Sequence, residues 1–506
     1  MRFGGSNGPS NESSRAHASR GQLRILSFAA LTIVFLASRL AYIYAGVRFD
    51  WDPLRSSLAI LDPELLRFDL LRSLLYLHSQ PPLFNLFVGI VLKCAPGNPE
   101  PVFRILYLGM GLAMTFALQE ALSRLNVPLW LGLVLTAAVM VSPAAVLYEN
   151  LLFYTYPVTL MLILSVLCLE AHLRTGWMKY AWLFFGLLGC IVLTRSLFHP
   201  LWFVFVAGAL IAIQRQHRRR LLVAAAVPLL LIAIWSVKNL ALFGSANSSS
   251  WLGMSLCKMV TVGVPLGERV RLAEEGVLSP YALRPPYMEI NKYRDLLARR
   301  DSMGVPVLDD EIRSTGNPNL NQSAYVGISR HYFDDALVLA RLHPGLYLRG
   351  VAHALFIYFR PASEYLAFFP NRPSVQCVDR AVNRFLLGQI RYERPGFEAN
   401  EEAIDYAWQV QRTGIVIALL YGVVLLWSIV NLWTCLRLPS SITPHSAMFM
   451  YLFSSLLYVS VVGNMLEIGE NCRFRFMVDP FFVVLLAMAL TRALTRRKSP
   501  PITDIP

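Results

Sequence analysis

QRQHRRRLLVAAAVPLLLIAIWSVKNLALF, residues 214–243, decides what kind of chain this is. Four arginines and a histidine crowd residues 214–220, and residues 221–243 then hold one charge, Lys238. A helix needs about 20 apolar residues to cross the hydrocarbon core of a bilayer. Basic clusters collect on the cytoplasmic side of such helices. The stretch therefore predicts a membrane-spanning helix that leaves the cytoplasm at Arg220 and reaches the far face near Gly244.

Similar stretches lie on both sides of it. Leu26 to Val47 is long enough to span and too long for the core of a cleavable leader. Others run over 82–94, 102–121, 127–147, 152–173, 179–194 and 198–213, then 345–362, 413–436, 446–464 and 476–493. Eight stretches before residue 244 would return 244–344 to the cytoplasm. One of them must be partial, and 82–94 is the shortest. By the same parity, 345–362 either fails to cross or crosses twice. The expectation is an all-α polytopic membrane protein with about 10–12 transmembrane helices.

Composition agrees. Only 15% of the 506 residues are charged and 55% are hydrophobic, against about 25% charged in a soluble chain. A disordered chain, a disulfide scaffold and an ordinary soluble enzyme are excluded. The net charge of +14 follows from 46 basic and 32 acidic residues. It fits cytoplasmic loops facing anionic membrane lipids, and no nucleic-acid module is visible. The seven cysteines show no CxxC pair, so neither a zinc site nor a disulfide framework is indicated.

The chain divides accordingly. Residues 1–23 read as a disordered cytoplasmic tail. Residues 24–243 form an N-terminal transmembrane module whose first outer loop is 48–81. A small mixed outer region covers 244–344, and a membrane-associated segment with an outer loop covers 345–412. The C-terminal helices span 413–495, and 496–506 form a second cytoplasmic tail.

The charge that remains near the outer boundary is the functional signal. RFDWDP (48–53) places Asp50 and Asp52 just beyond the first span, with Asp52–Pro53 as a helix start and amphipathic helices after it. HSQPPLFN (78–85) turns the chain back to the membrane through a rigid Pro-Pro pair. SPAAVLYEN (142–150) brings Glu149 and Asn150 to a span boundary. LTRSLFHP (193–200) holds Arg195 and His199 between two apolar runs. WSVKN (235–239) carries Lys238, and ENCRFRFMVDP (470–480) carries Glu470, Arg473 and Arg475 beside the last span. Taken singly, these residues also read as helix caps, snorkelling side chains or solvated charge. Ionisable groups at membrane depth are costly, which favours function for those that are retained.

In this order the motifs HxQPPL, SPxxxxYEN, WSVKNxxxFG and ENxRFRFxxDP resemble the GT-C superfamily of membrane glycosyltransferases. The likeness is to the glycosyltransferase family 39-like branch, similar to protein O-mannosyltransferases and the lipid A aminoarabinose transferase. It covers about 24–265 and 413–493. The resemblance implies an inverting transferase that moves a sugar from a polyprenyl-phosphate donor to a lipid, glycan or protein hydroxyl on the outer face. It implies a catalytic acid in the first outer loop, with Asp52 the better match and Asp50 next. The usual adjacent Asp-Glu pair is here split by Trp51. Arg473, Arg475, Lys238 and Arg195 would hold the donor phosphate. Glu149, with Asn150 and His78, would orient the acceptor or a divalent ion. Glu470 would hold Arg473, with His199 beside that group. No cofactor is required by the pattern, and a divalent metal is left open. A bacterial inner membrane is the expected location. Two other classes fit the same features, a flippase for a lipid-linked sugar and a non-catalytic assembly subunit. A flippase would more often show paired repeats, and none is visible.

Overall fold

The computed structural model describes residues 10–297, 302–384, 388–393, 410–437 and 443–496. Helix α1, Ser10–Tyr44, includes the apolar span Gln22–Tyr44. It begins inside the stretch expected as a disordered tail, and only 1–9 of that tail lie outside the described residues. Three short helices follow, α2 (Pro53–Ser56), α3 (Pro63–Phe68) and α4 (Leu70–Leu75). They bury Leu66, Leu70 and Leu74 and expose Phe68, Leu71 and Leu75. That two-faced pattern is what a helix lying on a membrane surface needs.

α5 (Pro82–Cys94), α6 (Glu100–Arg124), α7 (Leu129–Val141), α8 (Pro143–Glu149), α9 (Thr155–Thr175), α10 (Met178–Val192), α11 (Pro200–Ile213) and α12 (Arg218–Phe243) build the first bundle. α6 and α10 pack on α9, and so does the last helix of the chain, Asn471–Arg496. α10 meets α12 where Pro228 fills the space over Gly189, and a Cβ there would lie 2.7 Å from the proline Cβ. At the end of the bundle that holds Arg24, a chain of ion pairs (Arg24–Glu120–Arg124–Glu170–Arg174) ties α1, α6 and α9 together.

Among the described residues seven helices are long and apolar enough to cross a membrane, or eight if the bent pair α7–α8 is one span. The fold is therefore all-α and polytopic, but this count falls short of the expected 10–12. The reason is local. Ser142–Pro143 breaks the run 127–147 with a 56° bend. TRSLFHP ends the runs on both sides of it, leaving α10 at 15 and α11 at 14 residues. With α5 at 13 residues, these helices are about 20 Å long against a hydrocarbon core of about 30 Å.

The polar region 244–344 has its own core, with Met254, Tyr293, Tyr325, Ile328 and Tyr332 among its buried residues. Expected as mixed, its described part is helix and turn: α13 (Leu252–Met259), α14 (Leu266–Glu274), α15 (Pro306–Asp309) and α16 (Ala324–Leu342). α17 (Pro344–Tyr358) follows as a single helix of 15 residues, then α18 (Arg372–Val382). The strands β1 (Gln389–Glu393) and β2 (Val410–Gly414) pair antiparallel, with Gln389 opposite Gly414. The last three long helices are Ile415–Arg437, Pro444–Leu466 and Asn471–Arg496.

Candidate active site

The chain leaves α1 through Gly46, whose φ of +101° suits glycine. The next residues are pinned from two directions. Arg48 N–H donates to Asn371 Oδ1 at 3.0 Å, and Asn371 Nδ2 donates back to Arg48 O at 2.7 Å. Asp50 forms a parallel bridge with Leu151: its N–H donates to Asn150 O at 2.8 Å, and Leu152 N–H donates to Asp50 O at 2.9 Å. Backbone this firmly held presents its side chains in fixed directions. Those of Asp50 and Asp52 line a cavity of about 480 Å³, together with Arg48, Trp51, Arg55 and Asn371.

The two acids differ. Asp50 is half-buried and its Oδ1 accepts the Asp52 N–H at 3.0 Å. Burial raises its pKa above the usual aspartate range, and the Asp52 charge adds to the rise against the opposing pull of that N–H. Asp52 is exposed and precedes α2 without a side-chain cap bond, so its carboxylate is not spent on capping as the Asp-Pro pattern suggested.

The segment that pairs with Asp50 runs on into Phe153 and Tyr154. Leu152 and Tyr154 are two residues apart, so their Cα atoms are at most about 7 Å apart. Tyr154 hydroxyl accepts from Arg473 Nη1 at 2.9 Å and from Arg195 Nη1. Arg473 is 1% exposed, with the rings of Phe153, Tyr154, Tyr365 and Phe474 around its guanidinium at 4.8–5.7 Å. Its Nη2 pairs with Glu470, whose Oε1 accepts from Tyr365 hydroxyl at 3.0 Å. Burial pushes the Glu470 carboxyl up, but the charges of Arg473, Lys258 and Arg195 outweigh it and hold it below the usual range. Lys258 pairs in turn with Glu467. The Nε atoms of Arg195 and Arg473 are buried without a partner among the described residues. Two chain segments therefore join the acid loop to the arginines: 150–154, and 365–371, which offers Tyr365 to Glu470 and Asn371 to Arg48.

The Pro-Pro motif supports this junction. Leu83 N–H donates to Leu193 O at 2.9 Å, and Phe84 packs 5.6 Å from the Tyr154 ring.

Other expected residues lie elsewhere. Glu149 does not face the cavity. It is 3% exposed and bound by Arg39 through Nε to Oε1 at 2.9 Å and Nη2 to Oε2 at 2.6 Å, with Tyr156 hydroxyl donating to Oε2 at 2.9 Å. A lone arginine within an apolar helix has to find an acid, and this acid satisfies it. Asn150 acts through its backbone carbonyl on Asp50, while its side chain donates to Val146 O at 2.9 Å. Arg475 lies two residues from Arg473 and so on another face of the helix. It donates to Tyr358 O at 3.1 Å and Arg360 O at 2.9 Å, strapping the last helix to the end of α17.

His78 is buried, with Nε2 2.9 Å from Asn321 O and Nδ1 2.8 Å from Ser250 Oγ. That pairing suits a neutral ring donating from Nε2 and accepting at Nδ1. Burial holds the imidazole down at about 3, against the raising effect of the Asn321 bond and with Lys238 adding to the fall. Lys238 donates to Leu77 O at 2.7 Å and lies 3.5 Å from the Trp235 ring. These residues hold the 77–80 turn. His199 starts α11, and its Nδ1 accepts from Leu201 N at 3.3 Å.

No family model and no curated protein matches this chain. Among the described residues no three His, Cys, Asp or Glu side chains converge as metal ligands. The sequence reading missed Tyr154, Asn371 and Lys258. Tyr154 stood beside a quoted motif, but nothing in a tyrosine's neighbours along the chain reveals that two distant arginines share its hydroxyl.

Proposed function

We propose that the chain is an inverting glycosyltransferase of GT-C type, using a polyprenyl-phosphate-linked sugar at the outward face of a membrane. The observation that carries the reading is the joining of a two-acid cavity to the buried Arg473 and the half-buried Arg195 through residues 150–154. A carboxylate of the acid loop takes the proton of an acceptor hydroxyl as its oxygen attacks the anomeric carbon. The bond from that carbon to the phosphate oxygen breaks, and the polyprenyl phosphate leaves with the electron pair. Arg473 and Arg195 receive the charge that develops there, since fixed cations in a dry setting stabilise a leaving oxyanion. The sequence ranks Asp52 above Asp50. The geometry favours Asp50 as the base, because its backbone is fixed by the bridge to Leu151 and its half-buried carboxylate, with its pKa raised by burial, is the stronger proton acceptor for it.

Reconstituting the protein with a radiolabelled polyprenyl-phosphate sugar and outer-leaflet acceptors tests this. A new glycosidic product is expected. Movement of the intact labelled lipid between leaflets with no product would replace transfer by flipping.

A further inference from the structure

Four charged side chains line the acid cavity, Arg48, Asp50, Asp52 and Arg55. Among the described residues none of the four is ion-paired, either with another or with anything else, although both signs share one space of about 480 Å³. The backbones beneath them are fixed. Asn371 clamps Arg48 from both sides. Arg55 O accepts from Thr315 Oγ1 and from Asn317 Nδ2, both at 3.2 Å. The guanidinium of Arg55 lies 5.5 Å from the centre of the Trp51 ring, which keeps it on that aromatic face. Arg48 and Arg55 are exposed and free of hydrogen-bond partners at their side chains among the described residues.

Opposite charges that are held apart in one cavity are available to a ligand with two kinds of group. A carboxylate takes a hydroxyl. A guanidinium fork takes a planar or tetrahedral oxyanion, for which arginine is the best-suited side chain. A neutral sugar could accept hydrogen bonds from the two arginines but would leave their charge unmatched. The half-buried Trp51 adds an aromatic wall against which the C–H face of a sugar ring can pack. We infer that this cavity takes a sugar bearing an anionic group, a carboxylate or a phosphate, and that Arg48 and Arg55 receive that group while the acids face its hydroxyl. Calling this sugar the acceptor rests on the transfer reading, but its binding does not.

The test uses the full chain in lipid nanodiscs, with saturation-transfer NMR reporting binding of three probes: methyl glucuronide, glucose 6-phosphate and neutral methyl glucoside. At least one anionic probe is expected to bind about tenfold or more tighter than the neutral one, as one charge-assisted bond would give. The two anionic arms show whether carboxylate or phosphate is preferred. In Arg48→Gln/Arg55→Gln the preference should vanish, with the thermal unfolding midpoint unchanged because both side chains are exposed. Equal binding of all three probes by the parent protein, or a preference that survives the double substitution, would overturn the inference. Anionic preference without transfer to any acceptor would instead remove the transfer reading and leave the site. Transfer with no anionic preference would do the reverse.

Discussion

Glu149→Ala removes the carboxylate that neutralises Arg39 inside the bundle. Both side chains are at most 5% exposed. The substitution deletes two arginine–carboxylate bonds, of 2.9 and 2.6 Å, and the 2.9 Å bond from Tyr156. Arg39 keeps hydrogen bonds to Met140 O at 2.6 Å and Ser38 Oγ at 3.0 Å and the face of the Phe35 ring at 3.9 Å, none of which carries a full charge. Breaking a buried pair from one side costs about 3–5 kcal/mol. That is roughly a 150- to 5,000-fold loss in the folded-to-unfolded ratio. An exposed pair such as Arg271–Glu275 would cost no more than about 1 kcal/mol. Arg39→Met/Glu149→Met should recover most of the loss, since apolar replacement of both partners of a buried pair is often neutral. Denaturant unfolding in mixed micelles measures all three proteins. A Glu149→Ala protein that unfolds at the parental midpoint would refute the reasoning. So would a double variant as unstable as the single one. Activity per folded molecule should survive the double substitution, and its loss in a fully folded protein would return Glu149 to the chemistry.

Two further outcomes follow from packing and titration. In Gly253→Ala the new Cβ would lie 1.8 Å from Ser329 O and 2.7 Å from Phe333 N. α13 must then draw away from α16, costing about 1–3 kcal/mol, and faster proteolysis within 251–342 is expected; unchanged protection would contradict the crossing. His78 is held neutral, with a folded pKa of about 3 against an ordinary 6.5. The unfolded chain therefore binds a proton first as pH falls, so this contribution to stability is whole above about pH 6.5 and declines by about 1.4 kcal/mol per pH unit toward pH 3. Protection factors at 76–80, taken against the intrinsic exchange rate at each pH, should fall across that window in the parent, and protection that stays constant there would contradict a neutral, buried ring.

The sequence made the spans legible where about twenty apolar residues run unbroken, as in 221–243, because the bilayer sets that length. It misjudged 127–147, 179–194 and 198–213, where hydropathy continues across Pro143 and up to Arg195 although the helices do not. The acid loop was readable because two aspartates and a Pro stood beside a span. The partition of arginines was not. Arg473 and Arg475 look equivalent along the chain, yet a helix turns them to different neighbours, one toward Tyr154 and Glu470 and the other toward the carbonyls of Tyr358 and Arg360. The Arg39–Glu149 pair was within reach, since each is an isolated charge in an apolar stretch and each needs the other. Asn321 carries no charge and lies in none of the quoted motifs, whereas in the fold its side chain accepts the N–H groups of His78 and Ser79 at 3.0 Å and locks the turn.

The joining of the acid cavity to the arginines at Tyr154 is tested most directly by steady-state transfer kinetics of Asp50→Asn and Arg473→Lys, measured side by side against the parent with varied lipid-linked donor. Asp50→Asn should lower kcat by about 10²- to 10⁴-fold, the usual share of a general base, and leave the donor KM near its parental value. Arg473→Lys should keep the charge but lose the fork geometry, raising the donor KM or lowering kcat while the folded fraction holds. Parental kinetics in both variants would contradict a single site built from these two parts.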